Sequence, residues 1–166
     1  MNNSDLIVSI LKEAGVKNGF GIPSGNVLPL MEAMRTGGIN FVLTAHVGSA
    51  GFAADVSGRL TGIPGLCIAT LGPGATNLAT GVGNAWLDRS PLIAITCNLR
   101  TEQLGRRIQM FIDHHALFAP ITKASLALRN NTVEETLMEA IELSLIHISE
   151  PTRRYAISDA VVWVKK

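Results

Sequence analysis

The sequence predicts an α/β domain of three layers, a mostly parallel central sheet flanked by helices. Two observations carry this reading. Short apolar runs of strand length alternate with amphipathic runs of helical period from the N-terminus to about residue 143. The runs at 39–44, 66–70 and 92–97 are apolar nearly throughout, the pattern of parallel strands buried on both faces and joined by right-handed helical crossovers.

The elements follow in order. Residues 5–14 place Leu6, Ile7, Ile10, Leu11 and Ala14 at helical spacing, with Ser4 as N-cap and Gly15 where the helix ends. A strand over 16–20 runs into the loop Gly21, Ile22, Pro23, Ser24, Gly25, and a helical face resumes through Val27, Leu28, Leu30, Met31 and Met34. The strand at 39–44 precedes a helix over 46–60, where Ala50, Ala53 and Ala54 permit close packing on a sheet. The strand at 66–70, the turn Gly72-Pro73-Gly74, a helix over 75–88 and the strand at 92–97 behind Pro91 continue the alternation. A loop over 105–111, a short helix over 113–118, a strand over 121–128 and a helix over 133–143 complete it.

Composition narrows the function classes. The chain has 166 residues, 47% apolar and 16% charged with 16 glycines, which suits one compact domain and excludes disorder for the bulk. Fourteen basic against 13 acidic residues and a single Tyr leave neither a phosphate-tracking surface nor a stacking platform, so no nucleic-acid partner is expected. Cys67 and Cys97 lie in apolar strand runs and read as buried thiols, consistent with a reducing, cytoplasmic setting and no metal framework. No signal peptide or bilayer-length apolar run is evident, so a soluble protein without a membrane partner is expected.

The pattern breaks near residue 145. The string LIHISEPTR at 145–153 resembles the conceptual translation of a short-read sequencing adapter. The domain is therefore expected to span 1–144 and to be truncated at its C-terminal end, with 145–166 a non-native or irregular tail and the final sheet position left unpaired. The alternative is a genuine β-rich end built on Val161, Val162, Trp163 and Val164.

Chemistry is suggested first by Leu71-Gly72-Pro73-Gly74-Ala75-Thr76-Asn77, which joins a strand to a helix. Backbone N–H groups and the positive end of a helix dipole there face the carboxyl edge of the sheet, a place for a polar ligand. A dinucleotide fingerprint would need glycine where Asn77 stands, and Pro73 removes one donor. The bland alternative is a tight turn that needs glycine for its backbone.

Four blocks occur in one order: GIPSGNVLPLMEAM, AHVGSAGFAADVSGRLTG, LGPGATNLATGVGNAWLDRSPLIAIT and FAPITKAS. Together they resemble the N-terminal pyrimidine-binding domain of thiamine diphosphate enzymes of the acetolactate synthase, pyruvate oxidase and benzoylformate decarboxylase superfamily, over residues 3–143. The resemblance implies a cofactor shared with the diphosphate-binding domain of a second subunit. That domain would hold Mg2+, so no metal ligand is expected in this chain. It also implies a small 2-oxo acid substrate, and a homodimer or homotetramer when full length. On the same basis Pro23, Gly25, Val47, Thr70, Gly72, Gly74 and Asn77 are expected on the cofactor side, and His114 or His115 on the substrate side. The implied activity is that of a carboligase or decarboxylase, with the 166-residue chain inactive alone; the alternative is a non-catalytic paralogue or binding module.

Val47 is the informative departure. The family pattern of His, Glu, small residues, Ala-Asp and later Arg aligns with His46, Val47, Ala53, Ala54, Asp55 and Arg59, so valine stands where the family carries the glutamate that hydrogen-bonds the aminopyrimidine. Valine cannot move a proton. Glyoxylate carboligases resemble this chain in carrying valine there and remain active, so a carboligase-like variant, an inactive paralogue and a sequencing error all stay open. Gly25 resembles the acetolactate synthase side, and Ser24 replaces a usual glycine, with about 1 kcal/mol of strain expected if its φ is positive. Asp113 is expected to cap a short helix on which His114 and His115 diverge by about 100°, so only one would face a site. Trp86 and Leu87 read as core or subunit interface.

Overall fold

The computed structural model describes residues 2–99, 110–145 and 160–164. Six strands, β1 (Asn18–Gly21), β2 (Asn40–Leu43), β3 (Gly65–Ala69), β4 (Leu92–Cys97), β5 (Ala124–Leu128) and β6 (Ala160–Val164), form one sheet in the order β2-β1-β3-β4-β6-β5. Every pairing is parallel, so all the strands end at one edge. The helices are α1 (Asn3–Glu13), α2 (Leu28–Gly37), α3 (Val47–Thr61), α4 (Pro73–Asp88), α5 (His114–Phe118) and α6 (Val133–Leu145). The expected α/β architecture is present, and the N-termini of α2 to α6 all start from the carboxyl edge.

Side-chain alternation along the central strands builds two unlike layers. Leu66, Ile68, Ile93, Ile95 and Cys97 pack with Ile7, Leu11, Met34 and Leu137 from α1, α2 and α6. Cys67, Ala69, Leu92 and Ala94 face the other way, toward Ala50, Ala54, Leu78 and Phe118 from α3, α4 and α5. Small residues dominate the second layer, and α3 and α4 consequently sit close together. A Cβ on Gly51 would lie 2.8 Å from Gly81 Cα, so the two helices meet backbone to backbone.

A buried polar cluster locks the same pair. Asp55 is fully buried; it accepts from the Ser90 hydroxyl and from Asn84 Nδ2 at 2.6 Å, and pairs with Arg59 Nε at 3.2 Å. Arg59 reaches Asp88 of α4 at 3.1 Å. A carboxylate taken out of water needs such donors, and removing them leaves an uncompensated charge.

Several expectations are corrected. The sheet position expected to be vacant is filled by β6, which is hydrogen-bonded to β4 on one side and β5 on the other. The run Ala160 to Val164 is rich in β-branched residues and occupies a slot with unpaired backbone on both sides; LIHISEPTR after Leu145 lies outside the described residues. Asn2, not Ser4, caps α1, because its side chain accepts from Asp5 N while Asp5 reaches back in a capping box. The strand at 39–44 is not buried on both faces: β2 is the sheet edge, with Leu43 67% exposed. The strand expected from 121 starts at Ala124, since Ala119–Ile121 with Pro120 form a 3-10 turn. Most of the expected loop over 105–111 lies outside the described residues. Ser24 has no positive φ and carries no strain of that kind. Leu87 is 75% exposed, so it is not a core residue.

One helix offers a clean test of the close approach. Gly81→Ala puts a Cβ 2.5 Å from Gly51 Cα and is expected to cost about 1–3 kcal/mol. Gly83→Ala on the same helix meets nothing nearer than 3.9 Å and should stabilise by up to about 1 kcal/mol through helix propensity. Chemical denaturation of both variants measures the opposite signs.

Candidate functional site

The loops after β1, β2 and β3, and the helix starts that follow them, carry the predicted cofactor-side residues, and they leave the same carboxyl edge of the sheet. Gly72 ends the β3 loop with φ +61, a conformation glycine adopts without strain, and serves as the N-cap of α4. Its missing Cβ is needed as well, since one would lie 2.5 Å from Met110 O. Pro73 at the first helical position supplies a φ already suited to a helix, and no side chain caps this turn. Gly74 packs against Thr70, whose Cγ2 would be 2.8 Å from an added Cβ. Asn77 is exposed one turn along. An uncapped helix start of this kind offers backbone donors and a partial positive charge.

The β1 loop is shaped by Ser24, whose carbonyl accepts from Val27 N at 2.8 Å and Leu28 N at 3.1 Å. The Cys97 thiol donates to Asn26 O at 3.3 Å and so ties this loop to the end of β4. Pro23 and Gly25 are exposed, and among the described residues nothing lies within 4 Å of a Cβ built on Gly25.

Val47 opens α3 and is 8% exposed, packed with Ala50, Ala54, Cys67 and Ala69. Its surroundings are apolar, so the position supplies a wall and no proton. His46 caps the same helix: its Nδ1 accepts from Gly48 N at 3.0 Å.

The structure separates the two adjacent histidines, in keeping with their divergence on a helix. Asp113 caps α5 by accepting from Ala116 N at 3.0 Å. His114 is fully buried, with Nδ1 3.1 Å from Thr96 Oγ1, whereas His115 is exposed and its Nδ1 meets Ser125 Oγ at 2.8 Å. Burial pushes the His114 imidazole down to about 4, with His115 adding to the effect and Asp113 opposing it. His114 lies at the end of β4; His115 is turned toward β5.

Sequence reasoning missed Thr96 and Asn98. They continue the face of β4 that carries Leu92 and Ala94, and Asn98 is 6% exposed at the very end of the strand. Its Oδ1 accepts from Leu99 N at 2.8 Å, and its buried Nδ2 has no hydrogen-bond partner among the described residues. An unpaired buried donor costs about 1–3 kcal/mol, a cost that an acceptor on a bound molecule would offset. Two polar residues closing an otherwise apolar strand were the available signal.

Residues 1–118 match the family model described as "Thiamine pyrophosphate enzyme, N-terminal TPP binding domain". The chain belongs to this family. It is 37% identical to a protein of Methanocaldococcus jannaschii described as "Probable acetolactate synthase large subunit", over 91% of this chain and 27% of that protein. It is 36% identical to the acetolactate synthase of Bacillus subtilis over 85% of this chain and 25% of the relative. A protein of Pseudomonas aeruginosa described as a probable 2-ketoarginine decarboxylase is 36% identical over 95% of this chain and 30% of its own length. The chain thus spans roughly a quarter of the length of these curated relatives.

A thiamine cofactor fits the geometry in part. The uncapped α4 turn and the unpaired Asn98 donor suit a heteroaromatic ring bearing hydrogen-bond acceptors, while the ionisable group implied at position 47 is replaced by an apolar one. Among the described residues no three His, Cys, Asp or Glu side chains form a metal-holding group, and no helix is long and apolar enough to cross a membrane.

His114 makes folding pH-sensitive in a defined direction. Its imidazole is lowered from 6.5 in the unfolded chain to about 4, so its contribution is complete above pH 6.5 and is lost as pH falls toward 4. The loss is on the order of 3 kcal/mol. Urea titrations at stepped pH should show this slope for the wild type, and His114→Gln should flatten it.

Proposed function

We propose that this chain is the pyrimidine-binding half of a thiamine diphosphate enzyme that acts on a small 2-oxo acid, as an acetolactate synthase-type carboligase or a decarboxylase. The observation that carries the reading is the uncapped Gly72-Pro73-Gly74 helix start at the carboxyl edge, together with the unpaired amide of Asn98, in a chain of this family. When bound, the cofactor supplies the carbon nucleophile of its thiazolium ring. This chain's own residues bind and orient the pyrimidine. Asn98 Nδ2 donates to it, Val47 gives it an apolar wall, and the backbone at Gly72, Gly74 and Thr70 sets its depth. Pro23 and Gly25 leave space for the 2-oxo acid.

The diphosphate and its Mg2+ belong, in this reading, to a domain of a second subunit, in a homodimer or homotetramer working in the cytoplasm. An exposed apolar stripe supports such a partner: Phe52, Val56 and Leu60 recur every fourth residue on α3, and Leu87 projects from α4. Val47 favours a second reading, a non-catalytic binding module of the same fold, since its buried methyls offer the cofactor no proton.

Calorimetric titration tests the half-site. Thiamine and thiamine diphosphate should bind the chain with similar affinity and without dependence on Mg2+, Asn98→Leu should weaken both roughly five-fold, and pyruvate should not turn over on the chain alone. A Mg2+-dependent preference for the diphosphate would move that subsite into this chain and overturn the assignment. With the partner half supplied, Val47→Glu separates the two readings. A variant that gains turnover over an inert wild type supports the binding module; a wild type already active supports the enzyme.

A further inference from the structure

On the face of the sheet opposite to α3 and α4, an open groove of about 570 Å³ runs between α1 and α6. Its floor is apolar, with Ile10 and Ala14 from α1 and Met138 and Ile141 from α6. Met138 is 57% exposed, and Leu145 extends the same row with 36% of its surface free. Positions 138, 141 and 145 are three and four residues apart and so share one side of α6, a row about 10 Å long.

The rim of the groove carries one sign of charge. Glu13 of α1 and Glu134, Glu135, Glu139 and Glu142 of α6 line it, and no Lys or Arg does. All five are exposed, and among the described residues none of them forms an ion pair. Lysines on or beside these helices are used elsewhere: Lys12 donates to Gly37 O at 2.6 Å and Lys123 to Leu143 O at 2.6 Å. The arrangement works against α6 itself. Glu135 and Glu139 are four residues apart and Glu139 and Glu142 three, spacings at which like charges repel on a helix. Glu142 also stands in the last turn, where the helix dipole favours a cation. A chain of net charge +1 thus concentrates negative charge along one apolar row.

We propose that the groove between α1 and α6 is a docking surface for one basic amphipathic helix of a partner protein. Its apolar row seats against Met138 and Ile141, and its Lys or Arg side chains pair with the glutamates of α6. Charge complementarity selects this occupant, because a basic helix relieves the repulsion along α6 and an acidic or neutral one leaves it in place. The walls select a helix. Both are helices, so the groove offers no strand edge to an extended segment, whereas apolar side chains at i, i+4 and i+7 match the row on α6. Val47 and the start of α4 lie on the other face of the sheet, so docking here does not depend on the thiamine half-site.

The probe is a synthetic peptide of about 15 residues with Leu at i, i+4 and i+7 and Lys at the flanking positions. Two controls accompany it, the same composition scrambled and the same Leu row flanked by Glu. Binding to the full 166-residue chain is read by fluorescence anisotropy, and its location by backbone amide NMR shifts. The Lys peptide should bind, lose affinity as salt is added and shift amides of α1 and α6, with both controls at least about ten-fold weaker. The double variant Glu139→Lys/Glu142→Lys should weaken the Lys peptide roughly ten-fold, as two exposed ion pairs turned into repulsions require. It should keep or raise the thermal midpoint, since it places cations near the C-terminal end of α6. Met138→Ala should weaken binding by about three-fold through lost apolar contact, and Glu32→Lys on α2, outside the groove, should leave it unchanged. Failure of the Lys peptide to bind, or equal binding by wild type and the double variant or of ordered and scrambled peptides, overturns the proposal and leaves the glutamates as a solvated face. Spermine binding as tightly as the Lys peptide overturns it in favour of a simple cation site. Self-association of the free chain that the double variant abolishes overturns it in favour of a second copy.

Discussion

The contact between the α3 and α4 backbones at Gly51 and Gly81 is the constraint from which the rest of the site follows. Both helices leave the carboxyl edge of the sheet in the same direction, and their separation sets how near their N-terminal turns lie. A larger residue at either glycine would part them at the level where Gly48 meets Asn77. Two turns farther on, Asp55 receives Ser90, Asn84 and Arg59, so the pair is also pinned in its axial register. Burying that carboxylate is tolerable because its donors come from both helices and from the turn that follows α4. The apolar stripe on the outer face of α3 is then left exposed.

The site combines satisfied and unsatisfied polar groups. His46 closes the start of α3, while α4 starts with no side-chain cap. Thr96 meets the buried His114 ring at the start of α5, and just past the end of the same strand Asn98 keeps a buried donor with no partner among the described residues. Burial holds the Cys67 thiol well above its usual range, so it acts as a small core residue rather than a reactive one. The Asn98 donor, unpaired among the described residues, follows the end of β4 at the carboxyl edge of the sheet, and the core beneath it is conventional.

Much of the fold was legible because its cause is local. Apolar runs bounded by Gly and Pro located β3 and β4 to within a residue, and Asp113 was recognisable as a cap because its side chain acts within its own turn. The apolar run of β2 was misleading, since apolarity reports propensity and not position, and an edge strand has only one neighbour. The Asn2 cap was hidden by Ser4, an equally good capping residue two positions on. The expected strain at Ser24 depended on a backbone angle that residue type alone does not reveal. The strand at Ala160–Val164 was discounted because the segment before it resembles foreign sequence, although the run itself has a clear strand composition.

By itself the sequence determined the α/β class, the order of elements, the helix start at Gly72-Pro73-Gly74 and the absence of a carboxylate at position 47. These follow from periodicity, from the special backbones of glycine and proline, and from residue identity. Tertiary structure alone decided which of two adjacent histidines is buried, that the Asn98 amide has no partner among the described residues, and that α3 and α4 touch through glycines 30 residues apart in the chain. Those outcomes depend on what a neighbouring element presents across a strand or a helix seam. Such information is set by packing between segments distant in sequence, and no local pattern contains it.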